Sequence, residues 1–142
     1  MENDNIYVVL TSDTNLNYDN KPNKFTVEFE TPLNFPKQTK SALYDILLSE
    51  LVPQVQTLSN YHNLYILCNI VSESYKNEYK KNILRLCSIY KNGNLIEQIN
   101  PIVYVLLLFN NIHQISVEIL DENLNPIDFN GNSCVILHFK CK

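Results

Sequence analysis

The chain has 142 residues, of which 45% are hydrophobic, and this supports one domain with a buried core over residues 1–142. Its formal net charge of −4 argues against sequence-independent nucleic-acid binding, which depends on an excess of clustered Lys and Arg. The longest apolar run, IVYVLLLF at residues 102–109, is too short for a membrane helix of about 20 residues, so no membrane span is expected.

The start of the chain, MENDNIYVV, has neither the basic segment nor the long apolar segment of a signal peptide. We therefore expect synthesis inside a cell, where the redox poise disfavours structural disulfides. On this basis the four cysteines are expected to be reduced: Cys68, Cys87, Cys134 and Cys141.

Eight short extended segments recur along the chain, rich in β-branched and aromatic residues and separated by Asn, Pro, Asp and Ser. They are IYVVLTS (6–12), KFTVEFE (24–30), YDILLSELV (44–52), LYILCNIV (64–71), ILRLCSIY (83–90), IVYVLLLF (102–109), QISVEIL (114–120) and CVILHFK (134–140). This pattern is typical of an all-β sandwich or barrel. The fold class predicted from the residues alone is therefore all-β.

Alternation within these segments predicts which face of each strand is buried. In the second segment Phe25, Val27 and Phe29 share the inner side, and in the last segment the inner residues are Val135, Leu137 and Phe139. The segment at 102–109 is apolar on both sides, which predicts a central strand or a strand with both faces covered.

Two connections are informative. Asn92-Gly93 favours a tight type I′ hairpin, because both residues tolerate positive φ. Residues 72–85 fit two alternatives: a short helix capped by Ser72, with Tyr75, Tyr79 and Ile83 four residues apart, or a solvated connection followed by a strand from Ile83.

Catalytic and metal-binding patterns are weak. Cys134, His138 and Cys141 resemble a metal cluster, but on one strand Cys134 and His138 would lie about 13 Å apart and Cys141 would point to the other face. His62 and His113 belong to no recognisable motif, and all three histidines are expected at the surface or rim. We therefore expect neither an enzyme nor a cofactor.

Two surface features leave binding functions open. Four basic residues, Lys76, Lys80, Lys81 and Arg85, could contact an acidic partner, although a solvated charged face is the simpler explanation. Carbohydrate binding is compatible with a β-sandwich that has nine tyrosines, but the absence of Trp removes the strongest stacking platform.

The order of the segments resembles the minor capsid, or penton, proteins of Polinton/Maverick elements and the related adintoviruses and virophages. YVVLTSDTNLNYDNKPNKFTVEFETPLNF resembles that family's opening, and YDILLSELVPQ is similar to its W-E-V-x-L-x-E-I-x-x-P strand, with Tyr44 and Asp45 in place of Trp and Glu. NLYILCNIV and NILRLCSI resemble two middle strands, the second with Arg85 at the matching position.

The end of the chain, HQISVEILDENLNPIDFNGNSCVILHFK, carries the most distinctive part of the resemblance. It is similar to the family's ending I-x-I-x-I-x-D-x-x-G-x-P-I-x-F-x-x-G-x-x-x-V-x-L-H-F through Asp121, Pro126, Phe129, Gly131, Val135, Leu137, His138 and Phe139. Two departures are that Asn125 stands near the family's Gly, and that the stretch between Pro53 and Leu64 is short where family members often carry an insertion.

The resemblance implies a single jelly-roll β-sandwich of about eight antiparallel strands. It also implies a homopentamer at the vertices of an icosahedral capsid, in contact with the major capsid protein and located in the virion. Asp121, Pro126, Phe129 and Gly131 would then shape a structural or assembly loop. The alternative is a soluble β-sandwich binding module of viral origin that recognises a glycan or a host protein.

Overall fold

The computed structural model describes residues 5–13, 20–48, 63–88, 101–127 and 132–141. These residues form ten strands and no helix: β1 (Asn5–Thr11), β2 (Lys24–Asn34), β3 (Lys40–Leu48), β4 (Asn63–Cys68), β5 (Ser74–Lys76), β6 (Tyr79–Lys81), β7 (Ile83–Ser88), β8 (Val105–Leu106), β9 (Asn111–Leu120) and β10 (Ser133–Lys140). Each of the eight predicted segments contributes a strand, so the predicted all-β class is confirmed.

The strands form two packed four-stranded antiparallel sheets and a separate hairpin. Sheet A has the order β1-β10-β3-β8, sheet B has the order β2-β9-β4-β7, and β5 pairs with β6. The pairing is nested along the chain, because β1 pairs with β10, β2 with β9, β3 with β8 and β4 with β7. Strands that are remote in sequence are therefore neighbours in space.

The core lies between the two sheets and draws residues from both. Phe35 and Phe139 stack there with ring centroids 4.5 Å apart, and Phe139 is fully buried. Burying one such side chain contributes about 1.5–3 kcal/mol to the free energy of folding. The predicted inner residues of the second and last segments all contact this core: Phe25, Val27, Phe29, Val135, Leu137 and Phe139.

Residues 72–85 are not helical, so the first alternative for this segment is wrong. They form the β5–β6 hairpin, in which Tyr75 pairs with Lys80, followed by strand β7 from Ile83. Asn77 takes the left-handed conformation at the turn, with φ of 56°. The four-residue spacing of Tyr75 and Tyr79 thus arises from a two-stranded turn and not from a helical face.

The prediction for residues 102–109 is wrong. Only Val105–Leu106 form a strand, and this strand lies at the edge of sheet A and not at its centre. Leu106, Leu108 and Phe109 are 45%, 48% and 53% exposed. Two side chains of the segment, Val105 and Leu107, pack against the core. Strong local hydrophobicity here reflects an exposed apolar surface.

Irregularities occur where the sequence has Pro or where one strand carries an extra residue. Pro32 lies within β2, at the interval between Glu28 and Leu33 where pairing with β9 shifts register. A second shift occurs between Ile136 and Leu137 of β10, opposite β3. The Asn92-Gly93 hairpin, with the rest of residues 89–100, falls outside the described residues.

Candidate functional site

The loop predicted from the family motif is shaped by Asp121, directly after β9. Its Oδ1 accepts hydrogen bonds from the backbone N–H of Asn123 (2.8 Å) and of Asn125 (2.9 Å). The backbone N–H of Asp121 also donates to the carbonyl of Asn125 at 2.8 Å. Leu124, not Asn125, takes the left-handed conformation, with φ of 65°. The carboxylate of Asp121 therefore folds the turn locally, as Asp commonly does in turns.

Pro126 closes the same turn. It forms an isolated antiparallel bridge with Leu120, and the next residue, Ile127, is fully buried in the core. Asn23 donates a side-chain hydrogen bond to the carbonyl of Ile127, which ties the loop to the residue before β2. The other two predicted loop residues, Phe129 and Gly131, lie outside the described residues.

A second cluster surrounds His138 on the outer face of sheet A. His138 is 6% exposed, so the expectation of a surface or rim histidine is wrong for this residue. Tyr7, its partner across the β1–β10 pair, stacks on the imidazole at a centroid distance of 4.6 Å. Tyr44 and Tyr104 contact the imidazole edge-on, with centroids 6.2 Å and 5.6 Å away.

Both ring nitrogens of His138 have hydrogen-bond partners. Nε2 lies 2.9 Å from Oδ1 of Asn5, and Nδ1 lies 2.6 Å from the hydroxyl of Tyr104. An Nε2–H donor and an Nδ1 acceptor satisfy both contacts, which favours the neutral imidazole. Burial lowers the pKa of His138, and the nearby charge of Lys140 lowers it further.

The tyrosines give this surface a mixed apolar and polar character. Tyr7 and Tyr44 pack edge to face with centroids 5.0 Å apart, yet they remain 52% and 42% exposed. Lys140 Nζ lies 5.3 Å from the ring centroid of Tyr104. Burial and the neighbouring Tyr7 and Tyr44 raise the pKa of Tyr104, so its phenol stays protonated at neutral pH. The cluster therefore presents partly exposed aromatic rings around a buried imidazole.

The alternation of residues in β1 already indicated one member of this cluster, Tyr7. Tyr7 alternates with the core residues Val8 and Leu10 of β1, so it had to face outward. What the sequence does not reveal is that β1 pairs with β10 and so places Tyr7 opposite His138. Asn5 and Tyr104 join the imidazole from segments 133 and 34 residues away.

Three of the cysteines, Cys68, Cys87 and Cys134, have thiols that burial makes less acidic. All four are free. Burial raises the pKa of Cys68 to about 12, and burial raises that of Cys87 to about 11 despite the opposing charge of Arg85. Burial, together with Asp45 and Asp13, raises the pKa of Cys134. Protonated thiols are poor nucleophiles and poor metal ligands.

No group of three or more His, Cys, Asp or Glu side chains within the described ranges could hold a metal ion. Strand geometry argued against a metal cluster of Cys134, His138 and Cys141, and in the structure both ring nitrogens of His138 contact Asn5 and Tyr104. His113 is exposed on β9, and His62 is outside the described residues. In the same part of the chain, no helix is long and apolar enough to cross a membrane.

A small cleft of about 110 Å³ lies on the outer face of sheet B, and its lining includes the polar residues Asn69, Asn82 and Ser116 beside apolar ones such as Leu67 and Val117. These polar groups bond to one another and to the backbone: Asn69 Oδ1 accepts from Ser116 N–H at 2.8 Å, and Asn82 donates to the carbonyl of Val71 at 2.8 Å. Ser116 Oγ also lies 2.7 Å from Oγ1 of Thr26. The cleft is therefore held together by internal contacts.

Comparison with known proteins gives no relative from which to transfer a function. No family model, curated protein or solved structure matches the chain.

Proposed function

We propose that the protein is a single jelly roll that serves as a minor capsid, or penton, subunit. The observation that carries the proposal is the nested pairing of the strands across two sheets. β1 and β10, β2 and β9, β3 and β8, and β4 and β7 form a long antiparallel ribbon wrapped into a sandwich. Such wrapping is characteristic of jelly rolls, which are common in viral capsid proteins.

The closing segment supports the same proposal. Of the four predicted loop residues, the two that are described, Asp121 and Pro126, build the turn after β9. The motif residues Val135, Leu137 and Phe139 are fully buried. The motif thus coincides with residues that determine the fold of this end of the chain. A structural protein needs such residues and needs no catalytic group, and the proposal assigns neither a catalytic residue nor a cofactor.

The proposed assembly is a homopentamer at the five-fold vertices of an icosahedral capsid, in contact with the major capsid protein of the virion. A ring of this kind repeats one heterologous interface until it closes. The exposed apolar side chains on the outer face of sheet A suit a protein that buries surface against neighbours: Tyr7, Val9 and Tyr44 are 42–59% exposed.

Native mass spectrometry of the purified protein tests this proposal. Five copies of the 16.5 kDa subunit give a particle of about 82 kDa, and negative-stain images should show five-fold rings. Co-expression with a major capsid protein should place the subunit at particle vertices. A monomer that persists at high protein concentration and does not join particles would contradict the proposal.

The second candidate function is a binding module for a glycan or a host protein. The observation that favours it is the edge-to-face pair of exposed rings, Tyr7 and Tyr44, beside the polar groups of Asn5 and Tyr104. Aromatic rings next to hydrogen-bonding groups can recognise sugars. A glycan-array signal that is lost in both Tyr7→Ala and Tyr44→Ala would support it, and an array without signal would remove it.

A further inference from the structure

One end of the sandwich, which we call the hairpin end, consists of residues 35–40, 70–82 and 106–110. Backbone hydrogen bonds join its three segments into one surface. Leu107 N–H donates to the carbonyl of Thr39 at 3.1 Å, and Ser72 N–H donates to the carbonyl of Leu106 at 2.9 Å. The base of the β5–β6 hairpin is thus fixed beside the edge of sheet A.

The hairpin end is basic on an acidic protein. Five lysines and two glutamates give it a formal charge of +3, so the rest of a chain with net charge −4 carries −7. The lysines are Lys37, Lys40, Lys76, Lys80 and Lys81, and four of them are exposed. Only one ion pair involves them among the described residues, between Lys80 and Glu73 at 3.5 Å. Most of this positive charge is therefore available to a partner.

The same end presents apolar and aromatic surface. Leu106, Leu108 and Phe109 are about half exposed along the edge of sheet A, and on the hairpin Tyr75 and Tyr79 are 67% and 53% exposed. Side chains of this kind at the centre of an interface supply most of its binding energy. A solvated charged face, the simpler explanation of the lysines, does not account for these apolar neighbours.

The hairpin itself has unpaired backbone. β5 and β6 form a two-stranded sheet with no further strand beside either of them in the part of the chain that the structure describes. Two-stranded hairpins are only marginally stable alone. A bound extended segment could pair with a free edge while its side chains meet the lysines and the apolar strip.

The carboxylates on the described surface are a poor match for this site: Glu28 and Glu30 are exposed on β2, but Val27 and Phe29 beside them pack against the core. Asp121 and Glu122, at the opposite end, are engaged in their loop: Asp121 holds the turn, and Glu122 Oε2 accepts from Asn63 at 3.4 Å. Next to the exposed Tyr44 lies one carboxylate, Asp45, whose Oδ1 accepts from Ile46 N–H. A second copy of the described surface therefore offers few free carboxylates beside apolar groups.

Nucleic acid is also a poor match. Interfaces with nucleic acid are strongly basic and polar. Here Glu73 and Glu78 stand among the lysines, and the apolar strip of Leu106, Leu108 and Phe109 has no counterpart in a phosphate backbone. An extended protein segment in which acidic side chains alternate with apolar ones can contact both the lysines and the apolar strip.

We propose that the hairpin end is a docking site for an acidic, apolar-anchored segment of a different protein. The lysines attract the segment, and the strip of Leu106, Leu108 and Phe109 holds its apolar side chains. This site uses residues other than the exposed Tyr7, Val9 and Tyr44 of the outer face of sheet A, and it does not depend on whether the protein forms rings.

The test measures binding of a fluorescein-labelled peptide, in which Asp and Glu alternate with Phe and Leu, by fluorescence anisotropy. We expect binding that weakens several-fold between low and physiological salt, because screening reduces the attraction. The double variant K80E/K81E should bind about tenfold more weakly. The matched variant K21E/K24E, which reverses two exposed lysines that do not belong to the hairpin end, should bind as the parent does.

Further measurements test whether the acidic and the apolar side chains of the peptide are both needed. Peptides with Lys in place of the acids, or Ser in place of Phe and Leu, should bind at least tenfold more weakly than the parent peptide. Circular dichroism checks the fold, and K37E/K40E replaces K80E/K81E if the hairpin variant fails to fold. The proposal is overturned if the peptide does not bind, if both lysine pairs matter equally, or if oligothymidylate or phosphatidylglycerol vesicles bind more tightly than the peptide.

Discussion

Ser41 provides a sharp test of the core, because its hydroxyl is buried without a partner. It lies in β3, opposite Phe139 of β10 and Val105 of β8, and is 0% exposed. Among the described residues, Ser41 Oγ is the buried side-chain oxygen or nitrogen atom that forms no hydrogen bond. Burying a hydroxyl in this way costs about 1–3 kcal/mol in protein mutational data. Ser41→Ala removes that cost and leaves only a very small void.

We therefore expect Ser41→Ala to raise the free energy of unfolding by about 1 kcal/mol, which corresponds to about 3 °C in Tm for a chain of this length. The matched control is Ser133→Ala. Ser133 is 1% exposed, but its Oγ donates to the carbonyl of Pro22, so the same substitution should destabilise by about 1–2 kcal/mol. The two variants should move stability in opposite directions.

Urea unfolding followed by far-UV circular dichroism measures both variants, since the chain has no Trp for a fluorescence assay. The midpoint should shift while the slope stays constant, because the surface exposed on unfolding is unchanged. A Ser41→Ala variant less stable than the parent would refute the reasoning, as it would show that the hydroxyl makes a stabilising contact in the folded protein.

Four further predictions concern named side chains. The pKa of His138 in the folded protein lies below its unfolded value of about 6.5, so the free energy of unfolding should decrease as the pH falls below 6.5. In thermal melts between pH 7.5 and 5, His138→Gln should reduce this dependence of stability on pH. Tyr104→Phe, which deletes the phenol bonded to Nδ1, should lower the free energy of unfolding by about 1 kcal/mol in urea titrations, and an unchanged midpoint would count against that bond. Asp121→Ala should lower the free energy of unfolding by about 1–2 kcal/mol and should speed amide hydrogen exchange only in the turn after β9. Faster exchange throughout the protein would contradict a local role for Asp121. Iodoacetamide should label the partly exposed Cys134 well before Cys68 in the native protein, and equal rates would show that the core around Cys68 opens.

The sequence predicts the strands well where one face of the strand is apolar and the other is polar. Phe25 and Val135 could be assigned inward because polar residues alternate with their neighbours, and the structure places both in the core. The prediction fails at residues 102–109, where every neighbour is apolar and alternation carries no information. Whether such a segment is central or at an edge depends on which strands pair, and Leu106 shows that this one remains at an edge.

The candidate sites were harder to predict, because their parts meet only through tertiary pairing. The turn residues Asp121 and Pro126 could be found because their contacts are local. The environment of His138 could not, since Asn5 and Tyr104 come from distant strands and loops. The hairpin end is likewise formed by three segments that are distant in sequence. The sequence of the hairpin segment alone shows its lysines but not the apolar strip beside them.

The central position of β10 determines when the fold can form. β10 lies between β1 and β3 in sheet A, so β1 has no partner in this sheet until residues 133–140 have been synthesised. Sheet A therefore cannot form before β10 is available, and its folding requires contacts of high sequence separation, which form slowly. A chain that lost its final ten residues would leave the flanks of this sheet unpaired and prone to self-association.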